Sequence, residues 1–186
     1  MNRPPHAVVL AFLGFVCAGA SLRFATPAAA LQQPSTFSIV AWDSLTGELG
    51  VAVESKYFSV GRMVPWAAAG VGAVATQANV QASYGPKALA MLASGISPAE
   101  ILRVFAAGDS SWDSRQLGIV DAQGHAVSWT GPKCNSWAGG IAGIHFACQG
   151  NILAGPAVVA NMAAAFTASR EEMAGRLIAA LEAGQA

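Results

Sequence analysis

Charge is scarce in this chain. Asp, Glu, Lys and Arg make up 11% of 186 residues, with ten acidic and ten basic residues that cancel. No cluster of Lys or Arg occurs, so the sequence offers no electrostatic footprint for nucleic acid and none for an anionic membrane. Histidine and cysteine are scarce too, with three of each. After residue 30 only His125, His145, Cys134 and Cys148 remain. None of them has the spacing of metal ligands, so no metal and no cofactor is expected. Beyond residue 30 no apolar run approaches the roughly 20 residues that a membrane-spanning helix needs.

What is present begins with an apolar segment. Arg3 and His6 precede a run from Ala7 to Leu22, interrupted only by Gly14, Gly19 and Ser21. Arg23, Pro27 and the small residues Ala28 to Ala30 follow. This is the layout of a secretory signal over residues 1–30, so the mature protein is expected to be exported, either periplasmic or secreted, and free of the membrane. An uncleaved N-terminal anchor is the alternative. Cleavage removes Arg3 and Arg23 and no acidic residue, leaving a slightly acidic chain. It also leaves an even pair of cysteines. In an oxidising compartment a Cys134–Cys148 disulfide is expected, closing a loop that the chain-entropy argument values at about 3 kcal/mol. Two buried free thiols are the other option.

Thr36 to Lys56 reads as a β-hairpin. Phe37, Ile39 and Ala41 alternate with Ser38 and Val40. Asp43 to Gly47 supplies the turn, and Leu49, Val51 and Val53 alternate back to Glu54, Ser55 and Lys56. A threonine that begins such a strand carries a nucleophile and a base in one residue once its own amine is free. Residues 31–35 would then be a short pro-segment ahead of a domain at 36–186. Ala67 to Ala78 reads as a third strand. Tyr84-Gly85-Pro86 opens a helix closed by Gly95, and Ser97 to Glu100 is a capping box for a second helix. Arg115 to Gly131 is another hairpin, and Ile141 to Ile152 another strand. Gly155-Pro156 starts a third helix, and Ser169 with Glu172 caps a fourth. Strand runs followed by helix pairs argue an α+β fold with antiparallel sheets. The pattern fits a four-layer α-β-β-α sandwich and equally a two-layer α/β sandwich.

Several segments carry a resemblance. They are TFSIVAWDSLTGELGVAVESKYFSVG from Thr36, VPWAAAGVGAVATQA from Val64, SYGPKALAML from Ser83, RQLGIVDAQG from Arg115 and CQGNILAG from Cys148. Through them the chain resembles the bacterial domain-of-unknown-function family 1028, placed in the N-terminal nucleophile (Ntn) hydrolase superfamily. The resemblance implies the four-layer sandwich and a threonine that attacks an amide carbonyl while its free α-amine shuttles the proton. Thr36 alone sits at the matching strand start. Lys56, at the end of the second strand, would lower the pKa of the threonine's amine or hydroxyl, and Ser55 would hydrogen-bond that amine. A solvated lysine and a turn serine are the plainer readings.

Gln77, Tyr84 and Asn151 stand at strand or helix ends. They would line a substrate pocket or simply satisfy backbone groups. Two positions depart from the relatives: Trp129 and Gly140 stand where a histidine is expected. Relatives also continue past Ala186 into a further strand, so a truncated sheet edge and a homo-oligomer are expected. The functional expectation is an exported hydrolase acting on an amide of a small molecule or peptide. A non-catalytic secreted module binding a small molecule, a peptide or the cell wall is the alternative.

Overall fold

The computed structural model describes residues 34–186. The export segment expected over residues 1–30, and residues 31–33 of the pro-segment, lie outside the described residues. The chain runs β1 (Thr36–Trp42), β2 (Leu49–Ser55), β3 (Pro65–Ala68), β4 (Gly72–Ala78), α1 (Tyr84–Ala93), α2 (Pro98–Gly108), β5 (Arg115–Asp121), β6 (Ala126–Thr130), β7 (Gly139–Gly143), β8 (Phe146–Asn151), α3 (Ala157–Ala168) and α4 (Met173–Gln185). Two antiparallel four-stranded sheets result, ordered β2-β1-β8-β7 and β3-β4-β5-β6. With four helices this is an α+β sandwich.

The period of two in each strand decides what faces what. In β1, Phe37, Ile39 and Ala41 join Phe146 and Cys148 of β8 in a buried cluster with Val159, Met162 and Phe166 of α3 and Leu177 of α4. In the other sheet, Val74, Leu117 and Ile119 pack on Tyr84, Ala88 and Leu92 of α1 and Ile101 and Phe105 of α2. The opposite strand faces meet each other. Val40 and Ala147 from one sheet pack on Ala73, Ala75 and Val120 from the other, with Val64. These side chains are small, which lets the two sheets approach closely.

Local chemistry explains most boundaries. The first turn places Gly47 at a φ of +76°, a conformation that a residue without Cβ adopts freely. Asp43 accepts from the N–H of Leu45 at 2.8 Å and of Thr46 at 3.0 Å. Those bonds, Thr46's first, together with Arg176, hold its carboxyl below the usual range. At α2 the Ser97 hydroxyl accepts from Glu100 N–H, the N-cap half of a capping box, and Pro98 occupies the first turn.

Four expectations change. The stretch Ala67 to Ala78 is not one strand: it turns at Gly70, φ +69°, between β3 and β4. Ile141 to Ile152 also splits, because Gly143 pairs with Phe146 and His145 turns the chain at φ 68°. The expected cap at Ser169 belongs to the end of α3 instead. Its N–H bonds the Ala165 carbonyl, and α4 starts only at Met173. The expected disulfide is absent as well: Cys134 and Cys148 are both free. Strand parity turns Cys148 into the cluster beneath α3 and α4, where burial pushes its thiol up to about 12. Cys134 lies in the loop after β6, its thiol donating to the Arg115 carbonyl of the other sheet. Among the described residues no helix is long and apolar enough to cross a membrane.

Candidate active site

Thr36 begins β1, an interior strand, and is flanked by the ends of both neighbours: it pairs with Ser55 on β2 and with Asn151 on β8. Its even number puts it on the face shared by the two sheets, in line with Ser38 and Val40. It is 8% exposed.

The Thr36 hydroxyl lies 2.8 Å from the Ser55 hydroxyl. Ser55 donates its single proton to the Ser35 carbonyl at 3.0 Å, so the Thr36 hydroxyl is the donor toward Ser55. Ser55 also accepts from Tyr57 N–H at 2.9 Å. The Ser35 carbonyl receives a second donor, the Lys56 backbone N–H, at 3.2 Å. The carbonyl of the Ser35–Thr36 peptide bond is thus gripped by two donors while the adjacent hydroxyl is tied to one of them. The Lys56 side chain is exposed at the strand end.

Behind Thr36 the layer between the sheets turns polar. Gln149 Nε2 donates to Ser38 Oγ at 2.7 Å, Ser38 Oγ to Gln77 Oε1 at 2.6 Å, and Gln77 Nε2 to Gln116 Oε1 at 2.8 Å. Asn151 Nδ2 joins at the same Gln116 oxygen at 3.0 Å, and Gln116 Nε2 passes on to Thr130 Oγ1 at 2.8 Å. All five of these inward residues, Ser38, Gln77, Gln116, Gln149 and Asn151, are buried. Each amide group paired this way avoids a desolvation cost of about 1–3 kcal/mol, and only Gln149 Oε1 of these amides is left buried without a partner among the described residues. Of its members the sequence pointed only to Gln77 and Asn151. Ser38, Gln116 and Gln149 carry one available signal, a polar residue at an inward-facing strand position.

A cleft of about 400 Å³ opens at this end of the sandwich, lined by Thr36, Gln77 and Asn151 together with Pro34, Tyr57, Val60, Met63, Val64, Ala78, Asn79, Val80 and Ile152. A second cavity, about 270 Å³, shares the wall Ala78-Asn79 and Asn151-Ile152 and reaches Ser114, Lys133, Cys134 and Asn135. Two residues of that wall hold left-handed backbone without being glycine, Ala78 at φ 65° and Ile152 at φ 58°. For a β-branched residue this is strained, at about 1–3 kcal/mol, and such strain collects where side chains are aimed at ligands.

Tyr84 lies elsewhere. It stacks on Phe105 at 4.1 Å in the cluster under α1 and α2, and its hydroxyl donates to Asp109. Trp129 stacks on Trp112 at 5.1 Å. A Cβ at Gly140 would come within 2.2 Å of Ser128 Oγ and 2.9 Å of the Cys148 carbonyl oxygen, so this packing leaves no room there for the expected histidine. Among the described residues no group of three His, Cys, Asp or Glu side chains is placed to hold a metal.

No curated protein matches the chain. The crystal structure of protein SPO2555 from Silicibacter pomeroyi, itself matched to the DUF1028 family model, superposes with a TM-score of 0.78 at 32% identity, over 81% of this chain and 67% of that one. The family model described as "Family of unknown function (DUF1028)" matches residues 36–186, starting at Thr36 itself. The chain belongs to the DUF1028 family.

Proposed function

We propose that the protein is an exported Ntn-type amide hydrolase whose nucleophile is Thr36 after the Ser35–Thr36 bond is cut. In this reading the two sheets and their helices are the α-β-β-α layers of an Ntn hydrolase. The observation that carries the proposal is the double grip on the Ser35 carbonyl by Ser55 Oγ and Lys56 N–H, with the Thr36 hydroxyl 2.8 Å from Ser55.

The first reaction is the chain's own cleavage. Thr36 Oγ bonds to the Ser35 carbonyl carbon and passes its proton to Ser55, which passes its own proton to the Ser35 oxygen as charge develops there. Lys56 N–H stabilises the same oxygen. Collapse of the tetrahedral species returns that proton to the departing nitrogen and breaks the C–N bond. Water hydrolyses the resulting ester, freeing the Thr36 hydroxyl and α-amine. Turnover repeats the chemistry on an external amide. The amine takes the hydroxyl proton, the acyl group transfers to Thr36 Oγ, the proton goes to the leaving amine, and water releases the acid. Lys56 enters through its backbone; its exposed ammonium is screened by solvent, so Lys56→Ala is expected to slow the reaction less than Ser55→Ala.

The test separates the amine from everything else. A chain produced with Thr36 as its first residue, by cleaving a fusion partner directly before it, is expected to hydrolyse amide substrates without any lag. A chain carrying an additional uncleavable residue ahead of Thr36 is expected to be inert, though equally folded. Equal activity in the two would overturn the reading. Ligand binding without hydrolysis by the Thr36-first chain would favour the secreted binding module.

A further inference from the structure

The Thr36 cleft has a lining that selects for one kind of acyl group. Its walls are Tyr57, Val60, Met63, Val64, Val80 and Ile152, and among the described residues no charged one lines it. Its polar side chains, besides the Tyr57 hydroxyl, are those of Thr36, Gln77, Asn79 and Asn151, and two of these amides are engaged inside the protein. Gln77 spends its Nε2 hydrogens on Gln116 Oε1 and the Gln149 carbonyl, and its oxygen on Ser38. Asn151 gives an Nδ2 hydrogen to Gln116. A substrate carboxylate reaching into the apolar part of this cleft would lose water and find no cationic side chain among the described lining residues. A hydrocarbon chain would instead cover apolar surface that is open to water, since Tyr57 is 61% and Met63 37% exposed. The cleft volume of about 400 Å³ lies within the range of small-molecule sites.

We propose that this cleft is an acyl pocket, and that the amide attacked by Thr36 carries an uncharged, straight apolar acyl chain. The proposal rests on the Thr36 reading and names its substrate class. Pro34 lies in the same cleft, so release of the pro-segment clears the space that the acyl chain takes.

The experiment uses the Thr36-first chain and a series of p-nitroanilides: acetyl, butanoyl, pentanoyl, hexanoyl and glutaryl. Hydrophobic transfer predicts kcat/KM rising about fourfold per methylene from acetyl to hexanoyl. Glutaryl anilide, close to pentanoyl in length but ending in a carboxylate, is expected to react at least about 100-fold more slowly than pentanoyl, as an unpaired charge in an apolar site demands. Met63→Lys, a change at an exposed wall position, is expected to narrow that gap by raising the glutaryl rate. A flat series, or glutaryl as the better substrate, overturns the acyl pocket while leaving Thr36 in place as nucleophile. If no anilide is hydrolysed, the hydrolase reading fails. Calorimetry then tests the pocket alone: hexanamide binding more tightly than glutaramate supports it, and equal or reversed affinity overturns it.

Discussion

Thr36→Ala is expected to abolish both the cut before residue 36 and all amide hydrolysis, with the fold unchanged. The side chain is small, sits at the first position of β1 and makes one hydrogen bond, to Ser55. Its loss removes the nucleophile without opening a core cavity. Thr36→Ser keeps the hydroxyl and is expected to process and turn over at a reduced rate, since it lacks the methyl that restricts χ1. Ser55→Ala removes one of two donors to the Ser35 carbonyl and is expected to slow processing by about 10²–10³-fold. Retained Pro34 and Ser35, read by mass after prolonged incubation, would identify an unprocessed variant. Full turnover by Thr36→Ala would exclude this residue as nucleophile.

The largest expected loss of stability lies at a different point. Arg115, on β5, pairs with Asp109 at 2.7 Å, with side chains 10% and 15% exposed. Its guanidinium also donates to the Asn79 carbonyl, and Asn79 N–H bonds Ser114. Asp109 therefore anchors the segment that forms the wall shared by the two cavities. Asp109→Ala strands a buried guanidinium and is expected to cost about 3 kcal/mol. For a domain of this size that lowers Tm by about 6–12 °C. Glu100→Ala, which breaks the exposed pair with Arg103 at 72% and 46% exposure, is expected to cost less than about 1 kcal/mol.

The Asp109 contribution also sets a pH window. Arg115's hydrogen bonds, and then the Tyr84 hydroxyl, hold the Asp109 carboxyl well below the usual range. A depressed folded pKa stabilises the protein above the unfolded value of about 3.9 and loses that contribution as pH falls below it. The gap between wild type and Asp109→Ala is therefore expected to narrow below about pH 4 in denaturant titrations. Loss of equal size in the Asp109 and Glu100 variants would remove the anchoring role.

How much of this was legible in the sequence follows from range. The first hairpin was readable because alternation and Asp43–Gly47 turn chemistry are local, and so was the Ser97 cap. The turns at Gly70 and His145 were not readable, since Ala69-Gly70-Val71 and Ile144-His145 sit in apolar, small-residue runs without a polar turn signature. Thr36, Ser55, Gln77 and Asn151 were each visible as polar strand ends. The convergence of Thr36, Gln77 and Asn151 on one cleft was not, because it depends on β8 lying beside β1 and on the second sheet stacking opposite, contacts more than 35 residues apart in sequence. Cys134 and Cys148 show the same limit: an even count suggested a bridge, and strand parity sends one thiol under α3. Tyr84 was singled out for its place at a helix start, but its ring is consumed by packing on Phe105.

The central claim is that Thr36 becomes the first residue of the working enzyme. Intact mass and N-terminal sequencing of the mature protein test it most directly. The account predicts a chain beginning at Thr36, and a Thr36→Ala chain that retains Pro34 and Ser35. A fully active protein that still carries Ser35 would contradict it.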